Sequence, residues 1–289
     1  MKHRTYFCFG IGYVGKHWLT ALPQTVMKTG AVRRLESQQT LKTIGLDPYI
    51  FDGTATFSLL DINPTHILVT IPPQANDDPV LTAFAQDIKR LTTLQWVGVL
   101  SSISVYGDHG GACVTETSPC HPSYGKARLD SEQAWLHLYK ENGIPVHLFR
   151  LGGIYGAGRS LVDAVLLGKA NRVNKPGHCF SRIHIDDIVS ILNKSMNMPT
   201  PGEIYNLVDD LPTETREIIE YICARLEYPL PPLIYPETLT GRLADFYRDN
   251  KQVSNAKIKS ALGITLRHPT YKEGLEMELR KALTKQSSG

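Results

Sequence analysis

The sequence has 289 residues, of which 42% are hydrophobic and 20% are charged, a composition typical of a globular protein that needs neither disulfides nor a metal to be stable. Its net charge is only +3, and no run of five lysines or arginines occurs, so we expect no nucleic-acid partner. No stretch of 18 apolar residues is present either, so we expect no membrane span and no membrane partner.

The cysteines indicate the compartment. Five are scattered along the chain without a C-x-x-C pair, namely Cys8, Cys113, Cys120, Cys179 and Cys223. This pattern favours free thiols in a reducing cytoplasm and supplies no complete set of metal ligands, so no metal site is predicted. The apolar run before Gly10 is too short for the core of a signal peptide. We therefore expect a cytoplasmic protein.

Short apolar runs alternate with helical patterns through the first 150 residues. Strands are predicted at Thr5–Phe9, Thr25–Thr29, Pro48–Phe51, His66–Thr70, Trp96–Ser101 and Pro145–Arg150. Helices are predicted near Gly15–Leu22, Ser37–Ile44, Val80–Leu91 and Tyr124–Asn142. This alternation predicts βαβ units and an α/β fold, a doubly wound parallel sheet of the Rossmann type.

The pattern loosens after about residue 150, where glycines and prolines cluster. Helices are predicted at Ser160–Lys169, Ile185–Met196, Thr213–Leu226 and Tyr271–Leu283. We predict a Rossmann dinucleotide-binding domain over residues 1–160 and a smaller, mixed substrate-capping region over 161–284, partly interleaved with the sheet. A polar tail is predicted over 285–289.

The most informative local motif is a glycine loop. It directly follows the first predicted strand, opens a helical segment and consists of Gly10, Ile11, Gly12, Tyr13, Val14 and Gly15. In this context G-x-G-x-x-G provides a tight turn, a close backbone approach to a pyrophosphate and close packing of helix on strand. The pyrophosphate lies at the helix N-terminus, where the macrodipole favours an anion. The loop therefore predicts binding of a nicotinamide dinucleotide.

The choice between NAD and NADP depends on the residues after the second strand. A protein that selects NAD usually has an acid there, whereas this sequence has Arg33 and Arg34. Guanidinium groups pair bidentately with phosphate oxygens, so the pair favours the 2′-phosphate of NADP. Two alternatives stay open: Glu36 as a ribose-binding acid, which would indicate NAD, and two solvated arginines with no ligand.

Two further residues are predicted to contact the cofactor. Asp52 ends the third predicted strand and could accept a hydrogen bond from the adenine amino group, although Asp-Gly is also a common turn pair. Thr70 ends the fourth strand, and ligands of open α/β sheets bind beyond the carboxyl ends of the strands.

Several later segments carry a family resemblance. In chain order they are S-S-I-S-V-Y-G at 101–107, Y-G-K-A-R-L-D-S-E at 124–132, R-L-G-G-I-Y-G-A-G at 150–158 and R-I-H-I-D-D at 182–187. Together with the glycine loop, they resemble the extended short-chain dehydrogenase/reductases, which include the nucleotide-sugar epimerases and dehydratases. The order and spacing of the segments extend this resemblance over most of the chain.

The resemblance implies a catalytic set, with one departure. Ser102 would bind the substrate oxygen and Tyr124 would be the general acid/base. The family has a lysine four residues after the tyrosine, where this chain has Arg128. Lys126 is only two residues from Tyr124 and points about 200° away on a helix. Arg128 can stabilise a phenolate electrostatically, but it cannot relay a proton.

The second half of the chain supplies the remaining candidates. Gly153 and Ile154 are expected beside the nicotinamide, because paired glycines allow close backbone approach. By resemblance, Arg159 and Arg182 would contact anionic substrate groups, with a surface role as the alternative. His184, which precedes Asp186 and Asp187 at a predicted helix start, is interpreted with them as mainly structural.

Three functional hypotheses follow. The first is an NAD(P)-dependent oxidoreductase or epimerase that acts on a small-molecule carbinol or carbonyl, for example in a nucleotide sugar. The second is a dinucleotide-binding sensor with weak or absent catalysis, which Arg128 favours. The third is a scaffold protein that uses only the fold. A homodimer through the predicted Tyr124–Asn142 helix is an open alternative to packing of that helix on the sheet.

Overall fold

The computed structural model describes residues 4–75, 77–122 and 125–286. They form two compact units. Unit 1 contains the chain up to Ser102 together with Gly125–Arg150 and Val189–Tyr205. Unit 2 contains the described parts of Ile103–Tyr124, Leu151–Ile188 and Asn206–Gly289. Within the described ranges, no helix combines the length and apolar character that crossing a membrane requires.

The helices and strands alternate through the first part of the chain. Up to Asn142 they are β1 (Thr5–Phe9), α1 (Tyr13–Ala21), β2 (Met27–Val32), α2 (Leu35–Lys42), β3 (Tyr49–Ile50), α3 (Leu59–Ile62), β4 (His66–Val69), α4 (Pro79–Arg90), β5 (Trp96–Ser102), β6 (Cys113–Val114) and α5 (Lys126–Asn142).

The remaining elements are shorter on average. They are β7 (Val146–Leu151), β8 (Gly153–Tyr155), α6 (Leu161–Leu166), β9 (Arg172–Val173), β10 (Arg182–His184), α7 (Ile185–Asn197), β11 (Ile204–Leu207), α8 (Thr215–Leu226), β12 (Leu233–Ile234), α9 (Gly241–Phe246), β13 (Gln252–Val253), α10 (Ala256–Leu262) and α11 (Tyr271–Gln286).

One seven-stranded sheet dominates the fold, with strand order β3-β2-β1-β4-β5-β7-β11. The pairings among β1 to β5 are all parallel. The order reverses between β1 and β4, which is the doubly wound arrangement with its switch point beside the end of β1. The predicted fold class is therefore confirmed.

Aromatic side chains fill one face of this sheet. Phe7 and Phe9 alternate with residues of the other face along β1, as the two-residue period of a strand requires, and both are fully buried. Phe9 packs against Phe51 and Phe84, with ring centroids 6.1 and 5.1 Å away. Because the central strands are covered on both faces, their sequences are almost continuously apolar, which explains why they could be predicted.

The second predicted strand is displaced along the chain. It was expected at Thr25–Thr29, whereas β2 covers Met27–Val32. A turn explains the late start, since the Val26 N–H donates to the Pro23 carbonyl at 3.5 Å. The strand continues to Val32 because Ala31 and Val32 are buried. As a result, Arg33 immediately follows the end of the strand.

Unit 2 has its own apolar core. Helices α6, α8 and α11 contribute Val162, Val165, Ile218, Ile222, Leu275 and Leu279, all of which are buried. Tyr155 of β8 joins this core, and its hydroxyl donates to the Thr270 carbonyl at 3.3 Å. The short strands β8 and β10 pair in parallel. Packing between helices therefore contributes more to the core of unit 2 than sheet structure does.

Candidate functional site

The glycine loop makes a tight turn at the end of β1. Gly10 has φ +89°, in the left-handed region that favours glycine. The Gly10 carbonyl accepts the Thr70 hydroxyl at 2.6 Å. A Cβ at Gly10 would lie 2.7 Å from the Thr70 hydroxyl oxygen. Thr70 therefore fixes the turn through its side chain, in addition to its predicted place beside a cofactor.

The other two glycines have different surroundings. A Cβ at Gly15 would lie 2.6 Å from the Gly10 carbonyl oxygen and 2.7 Å from Cys8 Sγ, so α1 packs on β1 at backbone distance. A Cβ at Gly12 would meet nothing within 4 Å. Gly12 is the N-cap residue of α1, and no side chain caps this end within the part of the chain that the structure describes. The first-turn amides of a helix have no intrahelical acceptor, so this end suits an anion.

A cavity of about 460 Å³ lies at this end of α1. Its lining comes from the residues after four parallel strands, and includes Gly10, Gly12, Arg33, Asp52, Gly53 and Thr70. The cavity therefore opens at the carboxyl edge of the sheet, at the switch point where open α/β folds bind ligands. All of these residues belong to unit 1.

The other residues of the predicted loop hold the loop in place and do not form the described cavity wall. Ile11, Tyr13, Val14 and Gly15 are not among the described residues that line it. Ile11 and Val14 are buried instead. The N–H groups of Gly10 and Ile11 donate to the Ala31 carbonyl at 3.0 and 3.1 Å. These bonds tie the loop to β2 and hold its shape.

Arg33 and Arg34 occupy different environments. Arg33 lines the cavity, and among the described lining residues it is the only cation. Arg34 is the exposed N-cap residue of α2, and Glu36 is exposed in the first turn of that helix. Neither is among the described residues that line the cavity. Of the two predicted arginines, Arg33 is thus the one placed to meet a ligand.

Asp52 combines a turn with a place in the cavity wall. Its Oδ1 accepts the Thr54 N–H at 3.0 Å, which is the turn expected of an Asp-Gly pair. The residue is exposed and lines the cavity. The two interpretations of Asp52 are therefore compatible in the structure.

Ser102 and Arg128 both lie in unit 1, whereas Tyr124 lies outside the described residues. Ser102 is half-buried at the carboxyl end of β5. Arg128 is half-buried in the first turn of α5, where burial lowers the pKa of its guanidinium and the Glu132 carboxylate opposes that shift. Lys126 points to solvent and pairs with Asp130 at 2.6 Å, so it is engaged elsewhere.

The sequence analysis missed a buried polar network beside Arg128. Glu132 Oε2 lies 2.7 Å from Arg150 Nη2, and Glu132 Oε1 accepts the Ser101 hydroxyl at 2.5 Å. Glu132 and Arg150 are almost fully buried. Two signals were present in the sequence: Glu132 lies four residues after Arg128 on the same helix face, and Arg150 lies in a strand that is apolar apart from Arg150 and His147.

The candidates from the second half of the chain lie in unit 2. Gly153 and Ile154 are the first two residues of β8, and Arg159 is exposed in the turn that follows it. Arg182 is buried, and its Nη1 donates to the carbonyls of Phe180 and Thr213 at 3.0 and 2.8 Å. Burial lowers the pKa of Arg182, and the charge of Asp209 opposes that shift.

These bonds give Arg182 a structural task that its predicted role in substrate binding did not include. Its Nη2 donates to Thr215 Oγ1 at 2.7 Å, at the first residue of α8. The guanidinium therefore joins the Phe180 and Thr213 backbones to the start of that helix.

Solved structures with the same architecture share this fold over nearly the whole chain. A dTDP-glucose 4,6-dehydratase from Bacillus anthracis in complex with NAD is 17% identical, with TM-score 0.78 and coverage of 98% of this chain and 97% of that one. A UDP-glucuronic acid 4-epimerase from Bacillus cereus in complex with UDP-glucuronic acid and NAD is 16% identical, with TM-score 0.74 and coverage of 97% and 99%. The chain shares its fold with these two enzymes, which is the fold that the sequence resemblance to the extended short-chain dehydrogenase/reductases predicts.

A more similar structure is that of a functionally unknown conserved protein from Silicibacter pomeroyi. It is 38% identical, with TM-score 0.87, and the match covers 96% of this chain and 99% of that one. The chain belongs to the same family as this protein. No protein-family model matches the chain, and no curated protein sequence matches it significantly.

Proposed function

We propose that the chain binds a nicotinamide dinucleotide at the glycine loop and acts as an oxidoreductase or epimerase on a nucleotide sugar. The observation that carries the first part is the N-terminus of α1, which opens on the cavity without a side-chain cap among the described residues. Gly12 leaves the space beside it open. A pyrophosphate fits such a site because helix-end amides and the macrodipole both stabilise negative charge.

The cavity walls fit the adenosine half of the same ligand. Arg33 offers a guanidinium beyond β2, where the 2′-position of the adenine ribose is bound in Rossmann proteins. Asp52, beyond β3, offers a carboxylate that can accept from the adenine amino group. This combination supports NADP over NAD, because a guanidinium is matched to a phosphate rather than to a neutral diol.

The proposed chemistry uses residues at the ends of β5 and α5. Ser102 would hold the reacting oxygen of the substrate, and Tyr124 would donate or accept its proton. When bound, the nicotinamide supplies or accepts the hydride. Arg128 would stabilise the Tyr124 phenolate. The Glu132 carboxylate beside it pairs with Arg150, so this group of three charges keeps a net positive charge, which would stabilise a phenolate.

The structural relatives support the substrate class. The Bacillus cereus structure holds UDP-glucuronic acid together with NAD, and the Bacillus anthracis enzyme is a dTDP-glucose dehydratase in complex with NAD. Both proteins act on a sugar attached to a nucleoside diphosphate, with the fold that this chain shares. We therefore propose a nucleotide sugar as the substrate class here.

A second function, dinucleotide sensing with little or no catalysis, is favoured by one specific observation. Arg128 replaces the family lysine and is half-buried beside Glu132. An arginine keeps its proton in proteins, so the proton relay that a lysine can provide is lost. Electrostatic activation of Tyr124 survives this change, which is why catalysis is the first proposal and sensing the second.

Fluorescence titration with NADPH and NADH tests the binding proposal. We expect saturable binding of both, with NADPH the tighter ligand. Nicotinamide absorbance with a panel of UDP- and dTDP-sugars then separates the two functions, because turnover that is lost in Tyr124→Phe supports the enzyme. Tight NADPH binding with no turnover on any panel member supports the sensor. No affinity for either dinucleotide overturns both.

A further inference from the structure

Two histidines and an aspartate meet at the start of α7. His184 is the last residue of β10, Asp186 lies in the first turn of α7, and His268 precedes α11. One ligand atom from each lies within 4.8 Å of the other two. All three residues belong to unit 2. The sequence interpretation treated His184 and Asp186 as structural and did not connect them with His268, which lies more than 80 residues away.

The spacing of the three atoms suits a small divalent ion. Asp186 Oδ2 is 3.5 Å from His268 Nε2 and 3.8 Å from His184 Nδ1. Ligand atoms of a tetrahedral zinc site lie about 3.3 Å apart, given zinc–nitrogen and zinc–oxygen bonds of about 2.0–2.2 Å. The two separations from Asp186 are therefore within about half an ångström of this spacing, and the separation between the two histidine nitrogens is at most 4.8 Å.

The ring of His268 indicates a missing partner. Both of its nitrogens are buried, and neither forms a hydrogen bond with any residue that the structure describes. Burying an unsatisfied imidazole nitrogen is unfavourable. The His184 and His268 rings lie close together, with centroids 3.8 Å apart and ring planes tilted by 45°. Rings this close together can ligate the same cation.

Hydrogen bonds around the cluster orient the His184 ring and the His268 backbone. His184 Nδ1 accepts the Asp186 N–H at 3.2 Å, so this nitrogen carries a lone pair rather than a proton, and an ion bound there would replace this hydrogen bond. The Asp187 carboxylate accepts the Arg267 and His268 N–H groups at 2.7 and 3.0 Å. This bidentate contact fixes the backbone of His268 against α7, as outer-shell groups commonly do in metal sites.

The local charge and solvent access also suit a cation. Asp186 and Asp187 place two carboxylates in one helical turn, which offsets the partial positive charge of the helix N-terminus. The Asp186 side chain is 41% exposed, so an ion can enter from solvent. Three protein ligands leave a fourth position for water, as in open zinc sites.

We propose that His184, Asp186 and His268 form a binding site for a divalent transition-metal ion, with zinc as the best match to the two nitrogens and one oxygen. The ion would link the start of α7 to the segment before α11 and stabilise unit 2 by binding only the folded chain. This site does not depend on the proposed dinucleotide function.

The test uses the full-length chain freed of metal with a chelator. Titration with Zn²⁺, followed by metal analysis after desalting, is expected to give one equivalent per chain and a higher melting temperature. Titration with Co²⁺ is expected to produce visible absorption bands of a low-symmetry nitrogen and oxygen site. A wild-type chain that retains no Zn²⁺, and shows no Co²⁺ bands, overturns the proposal without any variant.

Variants locate the ion. Asp186→Asn and His268→Gln are expected to lower Zn²⁺ affinity by more than about 100-fold, because loss of an outer-shell partner alone costs about 10- to 100-fold. His178→Gln is the matched control, since His178 is also a buried histidine of unit 2 whose ring nitrogens lack a hydrogen bond among the described residues. Cys113→Ser with Cys120→Ser controls for thiol binding. Equal affinity in Asp186→Asn and wild type, or loss only in the cysteine variant, overturns the proposal.

Discussion

Arg150 and Glu132 form a bidentate ion pair in the interior of unit 1. Arg150 Nη2 lies 2.7 Å from Glu132 Oε2, and Arg150 Nε lies 3.1 Å from Glu132 Oε1. Their side chains are only 4% and 3% exposed. The pair joins β7 to α5, so the strand that carries Arg150 fixes the helix that carries Arg128.

Removing one partner of this pair is predicted to be costly. Glu132→Ala leaves the Arg150 charge buried without its counter-ion, so we expect a loss of about 3–5 kcal/mol in the free energy of unfolding. Urea denaturation measures the change. The control is Asp130→Ala, which breaks the exposed Lys126–Asp130 pair on the same helix and is expected to cost less than about 1 kcal/mol. Equal effects of the two variants would contradict the prediction.

Two glycines of the loop are predicted to separate folding from binding. In Gly15→Ala the new methyl group meets the Gly10 carbonyl and Cys8, so we expect a loss of about 1–3 kcal/mol in stability. In Gly12→Ala it meets nothing within 4 Å, so stability should fall by less than about 1 kcal/mol, the cost of alanine in place of glycine at an N-cap. The same methyl group projects toward the proposed pyrophosphate position, so NADPH binding should weaken by at least about 10-fold. Denaturation and NADPH titration of both variants measure the two effects, and unchanged NADPH affinity in Gly12→Ala would exclude this position for the pyrophosphate.

The first half of the fold could be predicted because its information is local. The strands β1, β4 and β5 are apolar runs, and the glycine loop is a contiguous motif between a strand and a helix. The second half could not be predicted in the same detail. Strands of two or three residues, such as β9, are too short to show a period. β11 contains the buried Asn206, whose Oδ1 accepts the Tyr106 hydroxyl at 2.7 Å. This polar residue interrupts the apolar run by which a strand of the main sheet would be predicted.

The site shows the same division between local and tertiary information. The position of Arg33 in the cavity wall could be predicted because the residue directly follows β2. The pairing of Glu132 with Arg150 joins a helix to a strand, and the spacing of residues along the chain does not specify which strand faces which helix residue. Likewise, His268 meets His184 only because Asp187 holds the Arg267 and His268 backbone. Contacts of this kind depend on how the elements pack.

Arg33 is predicted to determine the choice of cofactor. Arg33→Ser removes the guanidinium from the cavity wall and should weaken NADPH binding by about 10- to 100-fold, as expected for loss of hydrogen bonds between charged groups. NADH lacks the 2′-phosphate, so its affinity should stay within about 2-fold. Arg34→Ser is the control, because Arg34 is not among the described residues that line the cavity. Parallel titrations measure all three proteins, and an equal loss for both cofactors would show that Arg33 does not recognise the 2′-phosphate.

Buried histidines are predicted to make the fold sensitive to acid. Burial lowers the pKa of His147 from 6.5 to about 4, and the side chain is completely buried. The folded chain therefore binds fewer protons than the unfolded chain between pH 6.5 and 4. The contribution of neutral His147 to the free energy of unfolding is fully present above pH 6.5 and is lost as the pH drops through this window. The loss is up to about 3 kcal/mol for this residue.

His147→Gln tests this origin of the acid sensitivity. A glutamine carbonyl can accept the Thr200 N–H that His147 Nε2 accepts at 2.9 Å, but it does not titrate. We expect the variant to lose part of the slope of unfolding free energy against pH between 6.5 and 4. The remaining slope would come from other groups such as His66, whose pKa burial also lowers to about 4. The exposed His137→Gln should keep the wild-type slope, and an unchanged slope in His147→Gln would mean that His147 is not the neutral, buried group that its position implies.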